Sequence, residues 1–489
     1  MSQETVLLTP PLAARDRMGD LHEAGAVMPG LGLLYLAANL RKHGHPVRVL
    51  DAEGLCLDTA TVVEMLRVSP PKVLGIGTTT LSLFNAASVA EAVKARLPET
   101  LVVLGGPHVT ALPRQTMEQF PAIDACILGD GETSLLALVE NALGGRELGQ
   151  GVDGVLWREG ADIRTHPKTR HIADLDSLPF PAWDLLDRFP GLYRPPFHSY
   201  RRLPVANIVT SRGCPGACSF CDRSVFGSKA HFHSIDYILE MVERLVKDFG
   251  IREIAIKDDM FTVTKERVGE FCARLRERKL DILWSCNARV NSVDGRMLGD
   301  MKRAGCWMIS YGIESGSPAM LKKMMKGATL DQARRALTLT RASGMVSKGF
   351  FLLGIPGETS ASLAETLRFL GDLELDEMSL NFFTPFPGSK LYAEILAEGF
   401  EPDFSRMSMQ EVVYLPKGLT EADLRRFQKK MIRSFYLRPG KLLGYFARGL
   451  GDSGERKRLW RMGKTFVSLV ASGLRRKFFL GRRNPGKSN

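Results

Sequence analysis

No stretch of the 489 residues runs through about 18 apolar positions without a break, the length a helix needs to cross a bilayer. No secretory leader or Arg-rich presequence is legible either, so the chain is expected in the cytoplasm. Cysteine is scarce and unevenly placed: of 8 residues, three fall in one loop and the others are scattered, which excludes a disulfide framework and fits a reducing compartment. Basic excess is missing from most of the chain. The formal charge is +12, yet residues 421–489 hold 19 Lys or Arg against 4 Asp or Glu, a local +15 that leaves −3 for the remainder. The basic character therefore belongs to a tail, and no aromatic-basic RNA module is visible, so nucleic acid is not an expected partner. The length implies two or three domains.

What is present is organised around Cys214, Cys218 and Cys221, spaced C-x3-C-x2-C after an apolar, strand-like run at 205–210. Gly213, Pro215 and Gly216 let the backbone curl so that three sulfurs face one point. Thiolates suit iron-sulfur clusters or zinc, and closed structural sites of either kind take four protein ligands. Here there are three. Cys272 and Cys286 fall in helical and strand-like patterns, so one coordination position is left for a substrate or cofactor. The plain structural alternative is a zinc loop completed by Cys286, His231 or His233.

Before the loop, strand-like runs at 6–8, 47–50, 73–76, 101–104 and 125–128 alternate with helical patterns at 31–42 and 86–97. Such alternation predicts α/β architecture with a parallel, doubly wound sheet, whose ligands bind beyond the strand carboxyl ends. Those ends carry Gly77 and Thr78, then Gly105, Gly106 and His108, then residues 129–132. Pro179, Pro181 and Trp183 mark an extended connector. From 205 a second alternating series places six strands, at 205–210, 253–257, 282–285, 307–311, 349–353 and 378–383. Polar or glycine residues follow them: Asp258 and Asp259, Asn287 and Arg289, Glu314, then Gly354 and Gly357.

The cysteine spacing, with Phe220 before the last cysteine, resembles the signature of radical S-adenosylmethionine enzymes. The Gly-Gly-Pro-His-Val-Thr run at 105–110 resembles the cobalamin-binding domain that precedes many of them, and the likeness covers roughly residues 1–400. The resemblance implies a Rossmann-like cobalamin-binding domain (1–150), a linker (151–199), a partial (β/α)6 radical barrel (200–400) and a basic helical region (401–489). It implies a 4Fe-4S cluster on the three cysteines and S-adenosylmethionine on the open iron. Arg289 and Glu314 would hold that cofactor's polar groups, Phe220, Gly354 and Gly357 would frame its adenine, and Asp259 would serve it or the substrate. Cobalamin would lie on Gly77, Thr78, Gly105, Gly106 and His108. Asp20, His22 and Gly25 match a motif that puts histidine on cobalt, in a register displaced from the family's, and residues 231–234 stand where relatives often have arginines.

The activity implied is methylation of an unactivated carbon through a 5'-deoxyadenosyl radical and methylcobalamin. Relatives with the same two domains perform oxidation or ring formation instead, and a corrinoid carrier or redox sensor is the reading from outside enzymes. Transfer-RNA thiolation would need a cysteine-rich first domain, which here has only Cys56 and Cys126. The expected partners are a small or lipid-like substrate and an electron donor such as flavodoxin or ferredoxin. Basic amphipathic patterns at 424–435 and 442–450, with an apolar stripe at 466–479, suit either an anionic membrane surface or helices docked on the barrel.

Overall fold

Strands buried on both faces read as nearly unbroken apolar runs, and the first module is built from such runs. In the computed structural model, which describes residues 3–18, 27–441, 443 and 460, these are β1 (Thr5–Thr9), β2 (Val47–Asp51), β3 (Val73–Gly77), β4 (Leu101–Gly105) and β5 (Ala125–Ile127). They pair in parallel, and β6 (Val155–Glu159) and β7 (Asp162–His166) continue the sheet antiparallel, in the order β2-β1-β3-β4-β5-β6-β7. The order reverses between β1 and β3, where a crevice opens at the carboxyl ends. The β6–β7 hairpin lies in the stretch expected to be linker. Its outer strand is polar and largely exposed, so it lacks the alternation that would announce it.

The second module starts with β8 (Val205–Ile208), then a short antiparallel ribbon of β9 (Ser211–Arg212) and β10 (His231–Phe232) that brackets the cysteine loop. Five more strands follow: β11 (Glu253–Ile256), β12 (Leu283–Ala288), β13 (Cys306–Glu314), β14 (Val346–Leu353) and β15 (Glu377–Phe382). All six are parallel, in the order β15-β14-β13-β12-β11-β8, and the two edge strands do not pair. The barrel is therefore open. Ile254, Ile256, Trp284, Ile309, Tyr311, Phe351 and Leu353 alternate along the strands and pack beneath the connecting helices, so the intervening side chains face the other way.

One continuous core joins the modules through the connector, with Trp183 and Tyr193 buried between β1-side residues such as Leu34 and the barrel helices. Tyr193 donates its hydroxyl to Asp51 at 2.9 Å and Asn207 reaches the Pro29 carbonyl at 3.0 Å. The chain after β15 returns to the first module: Tyr392, Phe404 and Met407 pack with Leu8, Ile76 and Leu83 on the far side of its sheet. Helix Glu421–Tyr436 buries Leu424, Met431 and Phe435 completely and packs on helix Ser360–Asp372, while Tyr436 bonds the backbone of Met378. Of the two readings of that amphipathic pattern, docking on the barrel is the one realised. The patterns at 442–450 and 466–479, and the Asp20, His22, Gly25 motif, lie outside the described residues. Among the described residues no helix is long and apolar enough to cross a membrane.

Candidate active site

A cavity of about 570 Å³ lies between the carboxyl ends of the first sheet and the cysteine loop. Its wall on the first module combines apolar side chains such as Leu7, Leu33 and Leu135 with glycines, and Gly77, Gly105, Gly106, Gly129 and Gly131 bring backbone to the surface. At Gly106 nothing else fits, because φ is +114° and a Cβ would collide with the Thr78 carbonyl oxygen. Thr78 lines the same wall, with its hydroxyl donated to the Gly105 carbonyl at 2.7 Å, so it ties β3 to β4. His108 departs from the expectation. It is not part of the lining; it is buried edge-on against Phe404 at 4.8 Å, bonded to Thr80 at 3.2 Å, and burial pulls its pKa down to about 4.

The opposite wall comes from the second module and includes Arg212, Cys214, Cys221 and Asp259. Gly213 enters the loop at φ +84°, where a Cβ would strike the Lys229 carbonyl oxygen. Ser219 anchors the loop's middle: its N–H donates to the Met324 carbonyl at 2.9 Å, and its carbonyl accepts from Leu391 N–H at 2.8 Å. Burial, with Cys218, Asp259 and Cys214 close by, pushes the Cys221 thiol up to about 12. No three His, Cys, Asp or Glu side chains among the described residues are grouped to hold a single metal ion. The Asp pair divides its labour. Asp258 is fully buried and accepts from Thr210 N–H, Thr210 Oγ1 and Ser211 Oγ at 2.5–2.7 Å, which fixes the loop's entry, whereas Asp259 faces the cavity.

At the barrel's upper rim the structure brings Arg289, Glu314 and Phe220 together beside the loop. A Cβ at Gly216 would collide with the Arg289 guanidinium, whose Nε is buried without a partner. Glu314 sits at φ +67°, a strained conformation for a residue with a Cβ. Its carboxylate is held by Lys326 Nζ at 2.7 Å, and that ammonium also lies 5.7 Å from the centre of the Phe220 ring. Sequence reasoning missed Lys326, which lies in a loop with no motif of its own. Gly354 and Gly357 turn at φ +85° and +84°, and Gly354 N–H donates to Glu358 at 2.5 Å.

Glu358 gives a pH signature. Burial pushes its carboxyl up from 4.5 to about 7 against the pull of the Gly354 and Ile355 N–H groups. The folded site thus favours the neutral acid, whose stabilisation is complete below the unfolded pKa and is lost as pH rises through 7. Glu358→Gln cannot ionise and is expected to be more stable than wild type at pH 8 by roughly 1–3 kcal/mol, with little difference near pH 4.5. Urea midpoints at both pH values check this; parallel pH slopes for the two proteins would refute it.

The seam between the modules also carries charge. Arg212 reaches Glu132 at 2.6 Å with both side chains buried, and its guanidinium lies over Tyr35 at 5.1 Å and Phe226 at 5.4 Å. His233 stacks on Tyr237 at 4.1 Å and bonds Asp176 at 3.1 Å, and burial pulls its pKa down to about 4. The 231–234 run is thus part of the joint between modules. Cys286 is buried under the barrel helices on the side away from the loop, so it cannot complete a zinc site.

Facing a three-thiol loop with glycine-lined strand ends serves chemistry in which a metal cluster and a second large cofactor share one substrate, and the fold and site define an enzyme of that class. Comparison with known proteins makes this specific. Residues 208–370 match the model of the radical SAM superfamily, and residues 19–139 that of the B12 binding domain. An uncharacterized methyltransferase of Pyrococcus horikoshii is 33% identical over 424 residues, covering 86% of this chain and 90% of that protein. The anaerobic magnesium-protoporphyrin IX monomethyl ester cyclase of Rubrivivax gelatinosus is 28% identical, covering 94% and 83%. Among solved structures, the cobalamin-dependent S-adenosylmethionine radical enzyme OxsB superposes with TM-score 0.74 at 18% identity (95% of this chain, 71% of that one). The methyltransferase TsrM of Kitasatospora setae does so with 0.70 at 16% (97% and 100%). The chain belongs to the cobalamin-dependent radical S-adenosylmethionine enzymes. Its cofactors are S-adenosylmethionine, a 4Fe-4S cluster and cobalamin. The residues present fit them: a wall of glycines and apolar side chains for a large planar group, three adjacent thiols, and an anion with two cations at the rim.

Proposed function

We propose that this enzyme is a methyltransferase acting on a carbon that lacks an activating group. Cys214, Cys218 and Cys221 hold the cluster, Arg289 and Glu314 the amino-acid portion of S-adenosylmethionine, and Gly77, Gly105 and Gly106 the corrinoid. The observation that carries this reading is the single cavity reaching from Gly105 and Gly106 to Cys214, Cys221 and Asp259. When bound, the cofactors supply a 5'-deoxyadenosyl radical and a transferable methyl group. The chain supplies position and dryness. Arg289, Glu314 and Lys326 offer one anion and two cations to a zwitterion, and the Arg212–Glu132 pair closes the cavity's flank against water. Burial pushes the Asp259 carboxyl up, with Asp258 adding to the effect and the Gly213 N–H opposing it, so a weakly acidic carboxyl stands beside the thiols.

The Pyrococcus relative is named a methyltransferase, which favours methyl transfer; the cyclase relative favours a second reading, oxidation without it. A reduced cluster calls for an electron donor of the flavodoxin or ferredoxin kind. Anaerobic reconstitution with iron, sulfide and hydroxocobalamin, followed by mass detection of products, separates the readings. Methyl transfer predicts retained corrinoid with both 5'-deoxyadenosine and S-adenosylhomocysteine. With substrate present, 5'-deoxyadenosine alone selects the oxidative reading, and loss of corrinoid overturns the assignment of the first module.

A further inference from the structure

The inner face of the open barrel carries cations and hydroxyls that the mechanism above does not use. Because the outward positions of β11 to β15 pack under the helices, the alternate positions share the inner face: Ser285, Asn287, Ser310, Lys348, Ser379 and, just past β11, Lys257. The register confirms the grouping, since Asn287 pairs with Ser310, Ser310 with Lys348 and Lys348 with Glu377. Burial lowers the Lys348 pKa, with Glu377 opposing and Lys257, across two intervening strands on the same face, adding to the effect.

Two lysines share this face with two carboxylates, and neither carboxylate pairs with Lys257. Lys348 is buried, with Glu377 as its acidic neighbour and His198 Nε2 3.2 Å from Nζ. Glu253, the other inner carboxylate, is engaged by the N–H groups of Arg201 and Arg202 at 2.8 Å and by Trp307 Nε1 at 2.8 Å. The Lys257 side chain is solvent-exposed and makes no hydrogen bond or ion pair among the described residues, and partial burial of its ammonium lowers its pKa. The hydroxyls of Ser285, Ser310 and Ser379 make none either. An unpaired ammonium on a face that also carries free hydroxyl donors is suited to recognise an anionic oxygen group.

We infer that the barrel interior binds a carboxylate or phosphate of the substrate, with Lys257 as its ionic partner and Ser285 and Ser310 as hydrogen-bond donors. The inference rests on the methyltransferase reading for the word substrate and names its class, a small anionic molecule in place of a neutral lipid. Anionic substrates would be drawn beneath the cofactor rim, with the reacting carbon left toward the cavity and the charged end anchored inside the barrel.

The test is calorimetric titration of the anaerobically reconstituted holoenzyme with succinate and, separately, inorganic phosphate at constant ionic strength, beside Lys257→Gln, Lys257→Arg and Ser310→Ala. Expected is one site per chain for at least one anion, weakened at least tenfold in Lys257→Gln, largely kept in Lys257→Arg and weakened less in Ser310→Ala. Which anion binds tells carboxylate from phosphate. No saturable binding to wild type, or equal binding to Lys257→Gln, overturns the inference. A loss of S-adenosylmethionine affinity in Lys257→Gln with unchanged anion binding also overturns it, since the lysine would then serve the cofactor. Thermal midpoints show which variants fold, and Ser310→Ala carries the test should Lys257→Gln fail to. Formation of 5'-deoxyadenosine by wild type is scored independently, so failure of the catalytic reading leaves the anion result standing.

Discussion

Replacing any one of Cys214, Cys218 and Cys221 with alanine is expected to abolish 5'-deoxyadenosine formation, by more than roughly 10³-fold, and to strip iron from the reconstituted protein while corrinoid is retained. The size follows from the ligand count. Loss of a mere outer-shell partner costs about 10–100-fold in a metal site, and a cluster on three thiols has no spare ligand. The corrinoid is expected to stay because the wall proposed for it belongs to the first module, where Thr78 and Gly106 hold β3 and β4 together without help from the loop. Cys286→Ala is the contrasting variant: its thiol lies behind the sheet, and iron content should not change. Iron-to-protein ratio, visible spectrum and product mass read all four proteins. A Cys218→Ala enzyme with full iron and full activity would remove the loop from the mechanism.

The second large effect is expected at the seam. Arg212→Ala leaves Glu132 buried without its countercharge, and breaking a buried pair in this way costs roughly 3–5 kcal/mol. The urea midpoint should fall accordingly, and corrinoid retention with it, because both residues line the cavity. Replacing both charges together, Arg212→Met with Glu132→Leu, should recover much of the stability, since the main cost is an unpaired charge. Recovery of the midpoint without recovery of corrinoid would show that the pair shapes the cavity as well as the joint. A single variant as stable as wild type would mean that water reaches the pair.

Much of this was legible in the sequence, for local reasons. The apolar runs of the two parallel sheets, and helices such as Leu31–Lys42 and Ile235–Phe249, follow from short-range periodicity, and the cysteine loop from spacing alone. What escaped depended on distant partners. Helix Thr59–Val68 is rich in β-branched residues and rests on Asp58, whose side chain accepts from Thr61 N–H, and on burial of Val62, Val63 and Leu66. Arg212 finds Glu132 across 80 positions of chain, and Lys326 reaches Glu314 only because a loop folds over the rim. His108 was misread because its glycine-rich neighbours do line the cavity, while the residue that buries it, Phe404, arrives nearly 300 positions later.

That late arrival bears on what can be exchanged between proteins. The apolar face under Leu8, Ile76 and Leu83 is closed by Tyr392, Phe404 and Met407, so a fragment cut after the first sheet would leave that face bare to solvent and prone to association. A chimaera that takes its corrinoid module from this chain must take residues 386–407 as well. The heritable unit here is a discontinuous one, its two pieces separated by the whole catalytic barrel.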